Sequence, residues 1–422
     1  MNLDHVALLR KMFDAAIEAA DPLASLKAHL PEKPKGRTVV IGAGKGAAQM
    51  AAAFESLWDG PLSGVIVTRY GYAAPCKHVD VLEASHPVPD EAGLVASAAL
   101  FDAVRDLSAD DLVVSLVCGG GSSLLPSPPE GLTLADEQAL NEALLASGAP
   151  IGAMNAIRKH CSTIKGGRLA QAAYPARVVS LVVSDVPGDD PAQVASGPTV
   201  PDSVSLEDAL ELIDSLRIQL PDAITKHLAK EIARAPDPSD DAFARNEVTV
   251  VASAGISLDA AALVGREAGY SVSVLSDAIE GEARDIGLMH AAIARQVANK
   301  NIPFQKPAII LSGGETTVTL RAKGRGGRNT EFLLSFANAI EGSQGVTALA
   351  ADTDGIDGSE DNAGAFADGQ STTRIRAGGV DPKAALSGND AWGAFDAAGD
   401  LFVPGPTGTN VNDFRAILIE DV

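Results

Sequence analysis

The sequence predicts a two-domain α/β protein, with a larger N-terminal domain on a Rossmann-like parallel sheet (1–237) and a smaller C-terminal α/β domain (238–422). Three observations lead there. A chain of 422 residues exceeds one ordinary core and suits two domains, each large enough to bury an interior. Apolar residues make up 46% of it but aromatics only 4%, and its 41 glycines sit mostly at the ends of short Val/Ile/Leu runs. That is the pattern of buried parallel strands followed by tight turns. Those runs also alternate with helix-like stretches, as a parallel sheet with covering helices requires.

Taken in order, residues 1–20 read as an amphipathic helix carrying Asp4, Arg10, Lys11, Asp14 and Glu18. Strand-like runs follow at 37–41, 64–68 and 111–117, separated by helices from about Ala47 and Pro89. Helical stretches at 134–146 and 154–173 lead to a strand at 177–183. A second set begins at 248–252 and repeats the rhythm through 271–275, a helix at 285–299 and a strand at 308–311. Between the sets, Arg234-Ala235-Pro236-Asp237-Pro238-Ser239-Asp240-Asp241 has the composition of an interdomain linker.

The formal charge of −22 excludes nucleic acid or anionic lipid as the main partner, since both need a basic stripe. Three cysteines without a close pair, Cys76, Cys118 and Cys161, suit a reducing compartment rather than a disulfide scaffold. The N-terminus lacks the features of a signal peptide. The longest nearly uncharged stretch, 112–129, is broken by glycines and prolines and is no membrane span. The expectation is a cytoplasmic enzyme acting on a small molecule, with the oligomeric state left open and a homodimer among the options.

Ligands of open α/β sheets bind beyond the carboxyl ends of strands, so the chemistry belongs in the loops there. The first reads Gly42-Ala43-Gly44-Lys45-Gly46-Ala47: glycines that let backbone N–H groups approach an anion, beside a lysine. Its spacing is neither G-x-G-x-x-G nor G-x-x-x-x-G-K-S/T. The second strand then ends Val67-Thr68-Arg69-Tyr70-Gly71, basic where a nicotinamide-binding fold places an acid for the ribose. The second loop, Cys118-Gly119-Gly120-Gly121-Ser122-Ser123, adds hydroxyl donors to a second glycine cradle. Within fourteen residues, Asn155, Arg158, Lys159, His160, Lys165 and Arg168 gather polar and cationic groups around Gly166-Gly167. An acidic loop, Ser184-Asp185-Val186-Pro187-Gly188-Asp189-Asp190-Pro191, carries the carboxylates that a Mg²⁺ bridging nucleotide phosphates would use.

In the second domain, Ser312-Gly313-Gly314-Glu315-Thr316-Thr317 precedes Gly324-Arg325-Gly326-Gly327-Arg328-Asn329. Two arginines among glycines suit bidentate capture of carboxylate or phosphate. Asp352-Thr353-Asp354-Gly355-Ile356-Asp357-Gly358 lacks the closing glutamate of a calcium loop. The tail, Gly405-Pro406-Thr407-Gly408-Thr409-Asn410-Val411-Asn412-Asp413, is rich in hydroxyls and amides. Glycine cradles, cationic clamps and scattered carboxylates are together what phosphoryl transfer needs, since it rests on positioning and charge neutralisation.

These strings, with Ser85-His86-Pro87-Val88-Pro89 and Ala195-Ser196-Gly197-Pro198-Thr199, resemble in their order the class II glycerate kinases, the MOFRL family. The resemblance spans nearly the whole chain. It implies an ATP- and Mg²⁺-dependent kinase converting D-glycerate to 2-phosphoglycerate, with its active site in the cleft between the domains and a MOFRL-type C-terminal domain. It also implies catalytic roles for Lys45, Asp189 and Arg325, with one of Asp352 or Asp354 as a second acidic residue and the base among these carboxylates left open. Substrate and phosphate contacts are expected from Gly44, Gly46, Ser85, His86, Gly120, Gly121, Ser122, Ser123, Asn155, Arg158, Lys165, Arg328 and Asn410. Metal contacts are expected from Asp185, Asp190 and Asp354. The sequence departs from the family pattern at Ser85, Cys118 and Ala391-Trp392. The competing reading is an NAD(P)H-dependent hydroxypyruvate reductase, which the missing dinucleotide fingerprint disfavours.

Overall fold

In the computed structural model, which describes residues 1–421, the chain forms two compact units: Pro22–Val251, and Met1–Asp21 together with the residues from Ala252 onward. The first unit is built on β1 (Thr38–Ala43), β2 (Ser63–Arg69), β3 (Val79–Ala84), β4 (Leu112–Cys118), β5 (Arg177–Val183) and β6 (Glu247–Ala252), ordered β3-β2-β1-β4-β5-β6. The pairs from β3 through β5 are all parallel. Alternation within the strands explains the layers. Val39, Ile41, Val65, Val67, Val113 and Val178 face one core with the helix Glu91–Ala103. Val40, Ile66, Val114, Leu116, Val179 and Leu181 face the other, with the helix Ala47–Leu57. Both faces are covered, so these strands read as unbroken apolar runs.

The predicted helix at 154–173 is two helices, Ile151–Lys159 and Arg168–Ala173. Gly166 and Gly167 between them take φ of 65° and 84°, the left-handed region that ends a helix.

The second unit has β7 (Ser271–Val274), the two-residue strands β8 (Gly281–Glu282) and β10 (Thr316–Thr317), β9 (Ala308–Ser312), β11 (Val346–Asp352), β12 (Gly364–Asp368), β13 (Leu401–Phe402) and β14 (Asp413–Ile419). Its main sheet runs β13-β12-β11-β14-β9-β7. The βα rhythm expected from 271 to 311 is present in β7, the helix Ala283–Lys300 and β9, with β7 and β9 paired parallel. The other neighbours in this sheet pair antiparallel. The helices Ala283–Lys300 and Arg328–Ala339 cover one face through Ala294, Val297, Phe332 and Phe336.

The linker expected at 234–241 lies inside the first unit. Arg168 donates to the Arg234 carbonyl at 2.8 Å, Arg234 pairs with Glu207, and Gln171 donates to Asp240 at 3.1 Å. After this stretch β6 joins the first sheet beside β5, so residues 248–252 complete that sheet instead of opening the second. The division therefore falls at 251/252, and not at 237/238. The N-terminal helix Leu3–Ala19 likewise belongs to the second unit, where Leu9, Met12, Phe13 and Ala16 pack on Leu258, Phe402 and Phe414. Phe13 meets Phe402 and Phe414 edge-on, at ring separations of 5.0 and 5.6 Å. Phe13→Ala should thus cost about 3–5 kcal/mol in the C-terminal sheet. Hydrogen exchange should show lost protection in β14 while β1 and β4 keep theirs.

Candidate active site

The strand order of the first sheet reverses between β1 and β4, and at such a switch point the loops leaving two adjacent strands part to opposite faces and open a crevice. Here those loops are the two glycine segments. The Lys45 N–H donates to the Gly119 carbonyl at 2.9 Å and the Gly46 N–H to the Cys118 thiol at 3.1 Å. Gly44, at φ 139°, could carry no side chain, since a Cβ there would lie 2.4 Å from the Cys118 carbonyl oxygen. Burial pushes the Cys118 thiol up to about 12, so it serves as an acceptor for the loop backbone and not as a nucleophile.

Gly120, at φ 81°, is flanked by Lys45 and His86, whose Cε and Cδ2 lie 3.0 and 3.1 Å from where its Cβ would be. Burial, reinforced by the charges of Lys45 and Arg69, pushes His86 down to about 4, so at neutral pH it is a neutral ring. Ser85 ties its N–H to Asp90 at 3.2 Å, while Ser123 Oγ donates to the Gly120 carbonyl at 3.2 Å. Gly121 packs against Ala195, and Ser122 Oγ meets Ser196 Oγ at 2.8 Å. Ser196 donates to Asn155 Oδ1 at 3.1 Å, which also accepts from Arg158 at 3.1 Å. Asn155 and Arg158 thus brace the second loop from behind. Ala195 and Ser196 hold φ of 53° and 58°, a costly backbone for residues with a Cβ.

The acidic loop leaves β5, the next strand along. Asp185 approaches the Gly119 backbone closely enough that its carboxylate would overlap any Cβ there. Asp189 sits at φ 52°, and its carboxylate has no hydrogen-bond or ion-pair partner among the described residues. Asp190 caps the next turn, accepting from the Ala192 N–H at 3.0 Å. Lys165, by contrast, does not fit the substrate-binding role expected of it. It is 2% exposed and donates to Glu137 at 2.6 Å, so its charge is consumed internally. Lys159 likewise pairs with Asp202 at 2.8 Å.

In the second unit the four motif strings meet around Asp413, at the start of β14. Its carboxylate accepts from Arg328 Nε at 2.6 Å, Asn329 Nδ2 at 2.9 Å and the Thr316 N–H at 3.1 Å, and it pairs with Arg415. Burial alone would raise the Asp413 carboxyl, but Arg415 and Arg328 hold it below the ordinary range. Arg328 also binds Asp352 at 2.7 Å. Burial raises Asp352 well above its ordinary value against the pull of Arg328, with Asp354 and Asp413 adding to the rise. Asp357 is a helix cap, accepting from the Asn329 and Thr330 N–H groups at 2.9 and 2.8 Å, which gives the Asp-rich loop a structural reason for its last carboxylate. Asp354 accepts from the Ile356 N–H at 2.8 Å, and the exposed Asn410 from the Asn412 N–H at 3.0 Å.

Arg325 differs from Arg328. Its side chain is 52% exposed, 4.0 Å from Asp390 at nearest, and stacked 4.0 Å above the Trp392 ring. Its loop is pinned by its own N–H to Asp390 and by the Trp392 N–H to its carbonyl, at 3.2 and 3.0 Å. Trp392, one of the departures from the family pattern, is thus the platform for the exposed arginine.

Among the described residues no three His, Cys, Asp or Glu side chains form a group able to hold a metal ion. Mg²⁺ commonly takes one or two carboxylates and completes its shell with phosphate oxygens and water, and Asp185 at the glycine loop fits that thinner donor set. Sequence reasoning passed over Arg69, Ser196 and Arg415 as site residues. Arg415 had a signal: it interrupts the apolar strand Asp413–Ile419 yet is completely buried, and an arginine there demands a partner. Nothing local marks Ser196 as a partner of Ser122.

A parallel sheet with two glycine loops at its switch point defines an α/β enzyme handling an anionic small molecule. Residues 8–229 match the family described as "Domain of unknown function (DUF4147)" and residues 308–413 the MOFRL family. The chain is 39% identical to D-glycerate 2-kinase of Thermotoga maritima, over 96% of each chain. A protein of Agrobacterium vitis bearing the name "Putative hydroxypyruvate reductase" is 53% identical, over 98% of this chain and 94% of its own. The crystal structure of glycerate kinase from Thermotoga maritima superposes with a TM-score of 0.90 at 37% identity, covering 99% of this chain and 100% of that one. The chain belongs to the class II glycerate 2-kinase family, also called the MOFRL family. That family comprises phosphotransferases with an alcohol group as acceptor.

Two measurements check the second unit. Asp413→Asn should cost about 3–5 kcal/mol in denaturant unfolding, because it leaves the buried Arg415 and the half-buried Arg328 short of a charge. His290 accepts from Ser312 Oγ at 2.9 Å and donates to the Ile286 carbonyl at 2.9 Å, and burial pushes it down to about 4. Between pH 6.5 and 4 the unfolded chain binds the proton and the folded one does not. The resulting stability, about 3 kcal/mol, is complete above pH 6.5 and lost as pH falls toward 4. In His290→Gln the fall in unfolding free energy across that window should be shallower than in the parent.

Proposed function

We propose that this protein transfers the γ-phosphoryl group of ATP to the 2-hydroxyl of D-glycerate, releasing ADP and 2-phosphoglycerate, in the cytoplasm. The observation that carries the reading is the meeting of the loops 42–46 and 118–123 at the switch point, with Lys45 over Gly120 and without a carboxylate partner among the described residues. Loops that present backbone to an anion, beside an uncompensated cation, suit a transferring phosphoryl group, whose reaction needs neutralisation more than covalent help.

The roles divide by what each side chain is free to do. Lys45 neutralises the oxygens of the phosphoryl group in flight. Asp189, unpaired and held at an uncommon backbone angle, orients the acceptor hydroxyl and takes its proton as the new O–P bond forms and the bond to the β-phosphate oxygen breaks. Arg328 is already committed to Asp413 and Asp352, which leaves the exposed Arg325 to hold the glycerate carboxylate. Mg²⁺, when bound, supplies further charge neutralisation at the phosphates, and Asp185 is the residue that would hold it. No helix among the described residues is long and apolar enough to cross a membrane, and Cys76, Cys118 and Cys161 are free thiols, in keeping with a reducing compartment.

D-glycerate with Mg-ATP should yield ADP, and hydroxypyruvate with NADH should give no absorbance change. The reverse pair of outcomes would establish the reductase. Lys45→Ala should lower kcat on the order of 10²–10⁴-fold; near-normal turnover would remove Lys45 from the mechanism.

A further inference from the structure

Arg69 is the last residue of β2, in register with Ala84 at the end of β3, so Ser85 and His86 follow directly beside it. The preceding Thr68 donates its hydroxyl to the Lys45 carbonyl at 3.1 Å, which ties the end of β2 to the first glycine loop. The guanidinium lies 3.5 Å from the centre of the Tyr72 ring, and its Nε is buried without a hydrogen-bond partner. Neither Arg69 nor Lys45 has an ion-pair partner among the described residues.

Several other cations of this unit are neutralised, among them Lys159 by Asp202 at 2.8 Å, Lys165 by Glu137 at 2.6 Å and Arg37 by Asp111 at 3.2 Å. Asp185 lies against Gly119 at the second loop's start, and two acids near Arg69 accept from neutral donors. Glu83 accepts the Gly71 N–H at 2.6 Å, and Asp90 accepts the Tyr70 hydroxyl at 2.7 Å. Lys45 and Arg69 both act on His86, and in a chain of formal charge −22 two such cations without an ion-pair partner among the described residues repel one another. An anion between them relieves that repulsion.

We propose that Arg69 and Lys45 together form the seat of a doubly charged phosphate group, with Tyr72 as the platform that aims the guanidinium. This assignment rests on the kinase reading for the identity of the ligand, which is a nucleotide phosphate or the phosphate of the phosphorylated acid. A dianion matches two cations and the open glycine backbone of residues 119–121 better than a monoanionic carboxylate does.

The test compares the parent enzyme with Arg69→Met and Arg69→Lys, titrating ADP, 2-phosphoglycerate and D-glycerate calorimetrically and measuring KM and kcat for Mg-ATP and D-glycerate. Arg69→Met should weaken ADP or 2-phosphoglycerate binding about 10–100-fold. D-glycerate affinity and the thermal midpoint should stay unchanged, and Arg69→Lys should recover most of the loss. Weakened ADP identifies the nucleotide as the source, and weakened 2-phosphoglycerate identifies the acid. Unchanged affinity for both phosphorylated ligands overturns the seat. A parallel loss for 2-phosphoglycerate and D-glycerate overturns it as well, by assigning Arg69 to the carboxylate. A parent enzyme that binds these phosphates in an Arg69-dependent way yet forms no ADP would refute the kinase reading and leave the seat standing.

Discussion

The parallel pairing of β1 with β4, Thr38 against Leu112 through Ala43 against Val117, is the constraint on which the rest of the first unit depends. It brings the carboxyl ends of two central strands, some seventy residues apart in sequence, side by side. Both loops must then occupy the same small space, and only backbone without side chains can do so. The glycines are therefore a packing requirement before they are a binding device. The exposed N–H groups and the room above them are consequences of that packing.

The second unit solves a different problem. Its centre is a buried carboxylate, Asp413, flanked by two arginines and fixed by Asn329 and Thr316. Burying charge is costly unless every partner is in place, and here the partners come from β10, from the start of the helix Arg328–Ala339 and from β14 itself. Asp413 therefore orders the loops that carry the chemistry-bearing residues. Arg328, which resembles a substrate ligand in sequence, is occupied in that work. Arg325, three residues earlier, stays exposed because its loop is fastened through backbone groups and an aromatic face, which leave the guanidinium charge available.

The same contrast between committed and uncommitted charge runs through the first unit. Lys159 and Lys165 lie buried against carboxylates, whereas Lys45 and Arg69 do not. The charges of Lys159 and Lys165 are spent on holding the fold, whereas those of Lys45 and Arg69 are not tied to a carboxylate among the described residues.

Alternation of apolar runs and glycine turns was enough to read the parallel sheet, its covering helices and the loops that matter, because strand burial and helix punctuation are local. Residues 248–252 read correctly as a strand, but the sheet that receives it depends on pairing with β5, which no local pattern encodes. The N-terminal helix was legible as amphipathic, while its attachment to β14 and the helix Ala254–Glu267 was not. By itself the sequence determined most strands of the first sheet, the glycine cradles and the family, but it left β3, β11, β12 and β14 unread as strands. Tertiary structure decided which cations are spent on carboxylates and which remain free, because that depends on long-range contacts such as Lys165 with Glu137 and Arg328 with Asp413, whose partners lie far along the chain.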